Sequence, residues 1–199
     1  MNRLYVILAA TLTIVGVVAC SKEEPAVERT GYNIGDYYKR GLVEGIVCYT
    51  FDKEGESGVL LSLNEWSVAW STSNDTMVGV ANPSDGLYNW AVVTSLPGWE
   101  QRFPAFAVCN SLNSAMVIGW HLPSMGDFGY VRSLLNIEGG LERVNELLVE
   151  YGGQPIVSSS FWSSTEMGPA VAYFIDLATG GTNYADKQRQ LAVRAIKYF

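Results

Sequence analysis

The sequence predicts an α+β fold: strands, then a run of helices, then strands again, with little strand–helix–strand alternation. Three observations carry this. β-branched apolar runs broken by Asp and Gly lie at 45–51 and 58–63, capped apolar segments fill the middle of the chain, and short apolar runs return after residue 160. The composition agrees, since 48% hydrophobic and 12% aromatic residues with 20 glycines among 199 suit an aromatic core joined by many turns. A charged fraction of 17% is too low for a disordered chain. Twenty acidic against 13 basic side chains, with no Lys/Arg cluster, exclude sequence-independent nucleic-acid binding.

The first segment is of another kind. After Met1-Asn2-Arg3 comes an uncharged run of 16 residues, 4–19, shorter than the roughly 20 a membrane span needs and readable as a signal-peptide core. It ends Val17-Val18-Ala19-Cys20 and turns polar at Ser21-Lys22-Glu23-Glu24. That junction resembles a bacterial lipoprotein cleavage box with Cys20 as the lipidated residue, Val17 standing where Leu is usual; an ordinary signal peptide cut nearby is the alternative. Acyl chains on Cys20 would hold the protein on a membrane without crossing it. The acidic pair that follows resembles the surface-export signal of Bacteroidetes lipoproteins. The expectation is therefore an outer-membrane lipoprotein facing the cell surface, with the periplasmic face as the other placement. Residues 20–31 read as the lipidated cysteine and a flexible tether, and 32–199 as one domain large enough for its own core.

Within that domain, 45–51 and 58–63 read as a hairpin closed by a Gly-containing loop, and 66–70 as a strand with Trp66, Val68 and Trp70 on one face. Asp85 can cap a helix through about Leu96, and Pro104 suits the first turn of another through Leu112. Ser124, with Asp127 three residues on, starts a third that buries Phe128, Val131, Leu134 and Leu135. A fourth runs from Leu141 to Tyr151 and stops at Gly152-Gly153. Strands return at 161–163, 171–177 and 191–197.

Three segments resemble a known family: Gly119-Trp120-His121-Leu122-Pro123-Ser124, Phe161-Trp162-Ser163-Ser164-Thr165-Glu166 and Val193-Arg194-Ala195-Ile196. Together they are similar to the DUF1566 family, with its "GW-aromatic/Arg-LPS" turn, "YWSSTE" strand and terminal "VR" strand, over about residues 32–199. The resemblance implies a C-type-lectin-like fold: a small twisted antiparallel sheet whose N- and C-terminal strands lie together, with flanking helices and long loops. The motif residues read as structural. Trp120 and Trp162 are buried anchors, Pro123 ends one element before Ser124 caps the next, and Arg194 pairs with a carboxylate such as Glu166.

Little chemistry stands beside them. Cys48 and Cys109 are an even pair in an exported chain, so a disulfide between the first strand and the second helix is expected, with two buried thiols as the alternative. His121 is the one histidine, has no nucleophile elbow or peptidase signature near it, and occupies a position where the resembled family often has Tyr or Arg, which suggests a surface or turn site. No ligand spacing for zinc exists. Asn82-Pro83-Ser84 and Gln154-Pro155-Ile156 lack the acid that a calcium–sugar site of this fold requires, and the close cysteine pair of the related oxidase-like branch is missing. No metal, cofactor or catalytic residue is expected, and the chain reads as a non-enzyme.

What remains is recognition by loops at 72–89 and 179–190. Asn183, Tyr184, Asp186, Lys187 and Arg189 have a recognition composition, although a solvated hairpin tip looks the same. Asp75-Thr76-Met77 matches the O-glycosylation acceptor pattern of Bacteroidetes, with Thr76 as acceptor. The reading is a non-catalytic, monomeric surface lipoprotein that binds a protein or glycan. The alternative is a structural or accessory subunit of a surface fibre or outer-membrane complex.

Overall fold

The computed structural model describes residues 31–199; the expected signal peptide, Cys20 and nearly all of the expected tether lie outside the described residues. The order is β1 (Tyr37–Arg40), β2 (Val43–Thr50), β3 (Gly58–Leu61), β4 (Trp66–Ala69), α1 (Gly86–Thr94), α2 (Trp99–Arg102), α3 (Pro104–Asn110), α4 (Phe128–Leu135), α5 (Gly140–Glu150), β5 (Ser160–Glu166), β6 (Val171–Asp176), β7 (Thr182–Asp186), β8 (Gln190–Val193) and β9 (Ile196–Tyr198). The fold is α+β, with two sheets where one was expected. A four-stranded antiparallel sheet has the order β1-β2-β3-β9, and a five-stranded mixed sheet the order β4-β8-β5-β6-β7, with β5 and β8 parallel.

The expected hairpin at 45–63 is β2–β3, with Ile46 opposite Leu61 and Thr50 opposite Gly58. The paired stretches Ile46–Cys48 and Val59–Leu61 are continuously apolar because both sides are covered. Val47 and Leu60 enter one core with Trp70, Phe106, Trp120 and Trp162, while Ile46, Val59 and Leu61 enter a second with Phe128, Leu134, Leu148 and Phe161. The pleat sends neighbouring residues to opposite faces, so α3 packs on the first core and α4 and α5 on the second. Cys48 is the extra residue of a bulge between Val47 and Tyr49.

This two-sided burial separates the cysteines. Cys48 lies in the second core and Cys109 in the first, and both are free and buried, which corrects the expected disulfide. Burial raises both thiols' pKa far above the usual range.

The helices follow their caps. Asp85 accepts from the Tyr88 amide (2.9 Å) to start α1, and Pro104 opens α3. At α4 the roles differ from expectation: Asp127 is the flanking residue, and its Oδ2 accepts from the Ser124 amide and hydroxyl (both 2.8 Å). The expected single C-terminal strand is two. β8 pairs with β4 and β5, the chain then crosses at Arg194-Ala195, and β9 pairs with β3. The region 179–190 is not all loop, since β7 pairs along β6 from Val171–Asp186 to Ile175–Thr182.

Candidate functional site

The two segments expected to carry recognition lie side by side. The Ser71 amide donates to the Lys187 carbonyl (3.1 Å), the Gln188 side-chain amide to the Thr72 carbonyl (2.9 Å), and the Asn74 side-chain amide to Asp186 Oδ2 (3.0 Å). The loop after β4 is thereby laced to the turn after β7. Together with the Gln188 amide, the Asn74 bond holds the Asp186 carboxyl below its usual pKa. β7 is an edge strand. Its alternation turns Ala185 inward and leaves Tyr184 60% exposed, with Asn183, Asp186 and Arg189 also at the surface. Thr76 is exposed, and its hydroxyl donates to Asp75 (2.9 Å).

Lys187 does not belong to that surface. It is fully buried, on the inward side that Ala185 also takes, and its ammonium pairs with Glu166, donates to the Pro169 carbonyl (2.8 Å) and the Thr76 carbonyl (3.3 Å), and lies 4.9 Å from the Trp70 ring centre. The Glu166 carboxylate also accepts from the amides of Val78 and Gly79 (2.9 Å). Such a buried pair persists because each partner's remaining donors and acceptors are satisfied. Its place under the exposed loop makes it a positioning device, which corrects Lys187 as a ligand contact.

It also corrects the partner expected for Arg194. The Arg194 guanidinium bonds Glu65 (Nε–Oε2 2.9 Å), the carbonyls of Ser62 (3.0 Å) and Leu63 (3.3 Å), and the carbonyl of Gln154. It thus clamps the end of β3, the start of β4 and the segment after α5 at the point where the last strand changes sheets. Burial raises the Glu65 carboxyl's pKa against the opposing pull of Arg194, and burial lowers that of Arg194.

The motif strand β5 bulges between Trp162 and Glu166. The bulge lets the Ser164 amide reach the Pro123 carbonyl (2.7 Å), the Glu166 amide reach Val80 (2.8 Å), and the Asn89 side chain reach the Ser164 hydroxyl (3.0 Å). Trp162 and Trp120 are buried, and the Asn113 side chain brackets the Trp120 backbone at 2.9 Å on both sides.

His121 is fully buried, not at a surface turn. Its Nδ1 contacts the Gly119 carbonyl (2.9 Å), and its Nε2 is the one buried side-chain polar atom without a partner among the described residues. Asp127 nearby accepts from the Gly86 amide (3.0 Å) and the Tyr198 hydroxyl (2.8 Å). Burial lowers the imidazole pKa.

Among the described residues no helix is long and apolar enough to cross a membrane, and no group of three His, Cys, Asp or Glu side chains is placed to hold a metal. The buried lysine was missed because it was read by its charge; the available signal was the pleat, which puts 185 and 187 on one side.

No family model matches the chain, and no curated protein matches it. Its fold is similar to that of a fimbrial protein from Bacteroides ovatus solved by crystallography, with a TM-score of 0.60 at 16% identity over 84% of this chain, which spans about half (49%) of that protein's length.

Proposed function

We propose that this chain is a non-catalytic cell-surface protein that serves as a structural or accessory subunit of a surface fibre or outer-membrane complex. The likeness of fold to a fimbrial protein over most of the chain supports this reading above any other. Acylation at Cys20 is the proposed anchor. The buried polar groups fit such a role, because Glu166–Lys187, Arg194–Glu65 and Asp127–Tyr198 all tie one chain segment to another.

The test is cross-linking on intact cells followed by purification of the chain. A subunit is recovered in higher-mass species containing other surface proteins. Recovery of the unlinked chain alone, while it remains accessible to an impermeant label, refutes the assignment. Loss of alkyne-palmitate labelling in Cys20→Ala tests the anchor separately.

A second reading has its own observation. The exposed surface around Tyr184, Asp186 and Arg189, with Asn183 exposed on the other side of the same edge strand and the loop carrying Thr76 beside it, supports recognition of a protein or glycan in a C-type-lectin-like fold whose first and last strands lie in one sheet. A glycan array probed with Tyr184→Ala beside the parent separates it from a purely structural role.

A further inference from the structure

A cavity of about 390 Å³ lies between the end of α4, the start of α5, the segment entering β5 and the turn joining β6 to β7. Of the loop expected to carry recognition only Thr179 and Gly180 reach it, and none of Asn183, Tyr184, Asp186, Lys187 and Arg189 lines it. Its size falls within the range of small-molecule pockets. Its walls are pinned: the Asn145 side chain brackets the Ile156 backbone (2.7 and 3.1 Å), the Leu177 amide donates to the Ser159 carbonyl (2.7 Å), and the Thr179 amide donates to Asp176 (2.9 Å). A pocket held this way needs little ordering when it fills.

Its chemistry is divided. Leu135, Ile156 and Leu177 supply an apolar wall, and Leu141 and Val157 extend it outward at 47% and 81% exposure. The single charged side chain lining it among the described residues is Arg132. In a chain with 20 acidic residues, this guanidinium has no hydrogen-bond or ionic partner among the described residues. It lies against Gly180, where a Cβ would come within 2.6 Å of Arg132 Cζ. Gly180, at φ +69°, therefore both makes the turn and leaves room for the guanidinium at the cavity.

We propose that this cavity binds a small organic carboxylate with an aliphatic body, the carboxylate on the Arg132 fork and the aliphatic part against Leu135, Leu141 and Leu177. A planar guanidinium with free donors matches a carboxylate in two parallel bonds. The same chemistry is offered by a free acid and by the C-terminal leucine of a peptide.

Methyl-labelled full chain in non-ionic detergent is titrated with 4-methylpentanoate and with its uncharged amide. The acid shifts the methyl signals of Leu141, Ile156, Val157 and Leu177 saturably, and the amide binds about tenfold more weakly, the value of a charge-assisted hydrogen bond. Arg132→Gln, at an exposed position without a partner, keeps the remaining spectrum and abolishes the difference between acid and amide. Val157→Glu, at the rim, weakens the acid alone. An acetylated tripeptide ending in leucine, with a free or amidated terminus, identifies the source: binding of the free-terminus peptide alone assigns a chain end, and binding of the acid alone assigns a free metabolite. The proposal is overturned by absence of saturable shifts with every probe up to about 10 mM, by equal binding of acid and amide, or by an unchanged preference in Arg132→Gln.

Discussion

Lys187→Met removes the ammonium beneath the exposed loop while keeping an unbranched apolar stem in the same space. Glu166 then remains buried with the amides of Val78 and Gly79 but without a countercharge. Breaking one side of a buried pair costs about 3–5 kcal/mol, and the two surviving amide donors place the expected loss near the lower end, at about 3 kcal/mol. For a chain of this size that corresponds to a fall in Tm of roughly 6–12 °C. Urea denaturation of the variant and parent at neutral pH measures it. Replacing both partners, in Glu166→Leu with Lys187→Met, should cost less than the two single changes added together, because neither charge is then left alone. Hydrogen exchange gives the local readout, with the Val78 and Gly79 amides losing protection first. A loss below about 1 kcal/mol, the worth of an exposed pair, would refute the role given to Lys187.

Stability should also fall with acid through His121. Burial holds its folded pKa below 6.5, against the opposing influence of Asp127 and Asp85 and with that of Lys197. The unfolded chain therefore takes the proton first; this contribution is whole above pH 6.5 and declines as pH falls below it. His121→Phe should remove that part of the slope in pH-dependent denaturation, and an unchanged slope would contradict it. Cys48 and Cys109 should resist alkylation in the folded chain and both react in denaturant without reductant, by mass spectrometry; a mass that changes only after reduction would show a disulfide instead. A Cβ on Gly86 would meet Asp127 Oδ2 at 2.6 Å and His121 Cδ2 at 2.8 Å, so Gly86→Ala should destabilise by about 1–3 kcal/mol. Gly129, inside α4 with open space around it, should tolerate Ala with a gain of about 0.5–1 kcal/mol in the same melts.

Local signals carried well. Asp85 and Pro104 open helices, α4 buries Phe128, Val131 and Leu134, and β2–β3 pair as their Gly-closed pattern requires. β1 was missed because Tyr-Tyr-Lys-Arg is too short and too polar to stand out, and it exists by pairing along β2. The division into two sheets was invisible, since nothing in Val193-Arg194-Ala195-Ile196 marks a change of partner; the crossing is fixed by the carbonyls of Ser62, Leu63 and Gln154, from two distant segments, around Arg194. The cysteine pairing failed on the faces of one sheet, since parity of number says nothing about which side each thiol takes. At the surface, charge suggested exposure for both Asp186 and Lys187, and only the strand's alternation separates them.

The passage of residues 190–198 from one sheet to the other bears on the timing of folding. β8 lies between β4 and β5, and β9 completes the edge of β3, so each sheet waits for the same short stretch. Its partners in β3 and β4 lie more than a hundred residues earlier in the chain, and contacts of such sequence separation form late. In a chain emerging N-terminus first from a ribosome, neither sheet is complete until residues 190–198 have cleared the exit. Arrival of this segment joins β4 to β5 through β8 and covers the edge of β3, so it is the step that removes those unpaired strand edges.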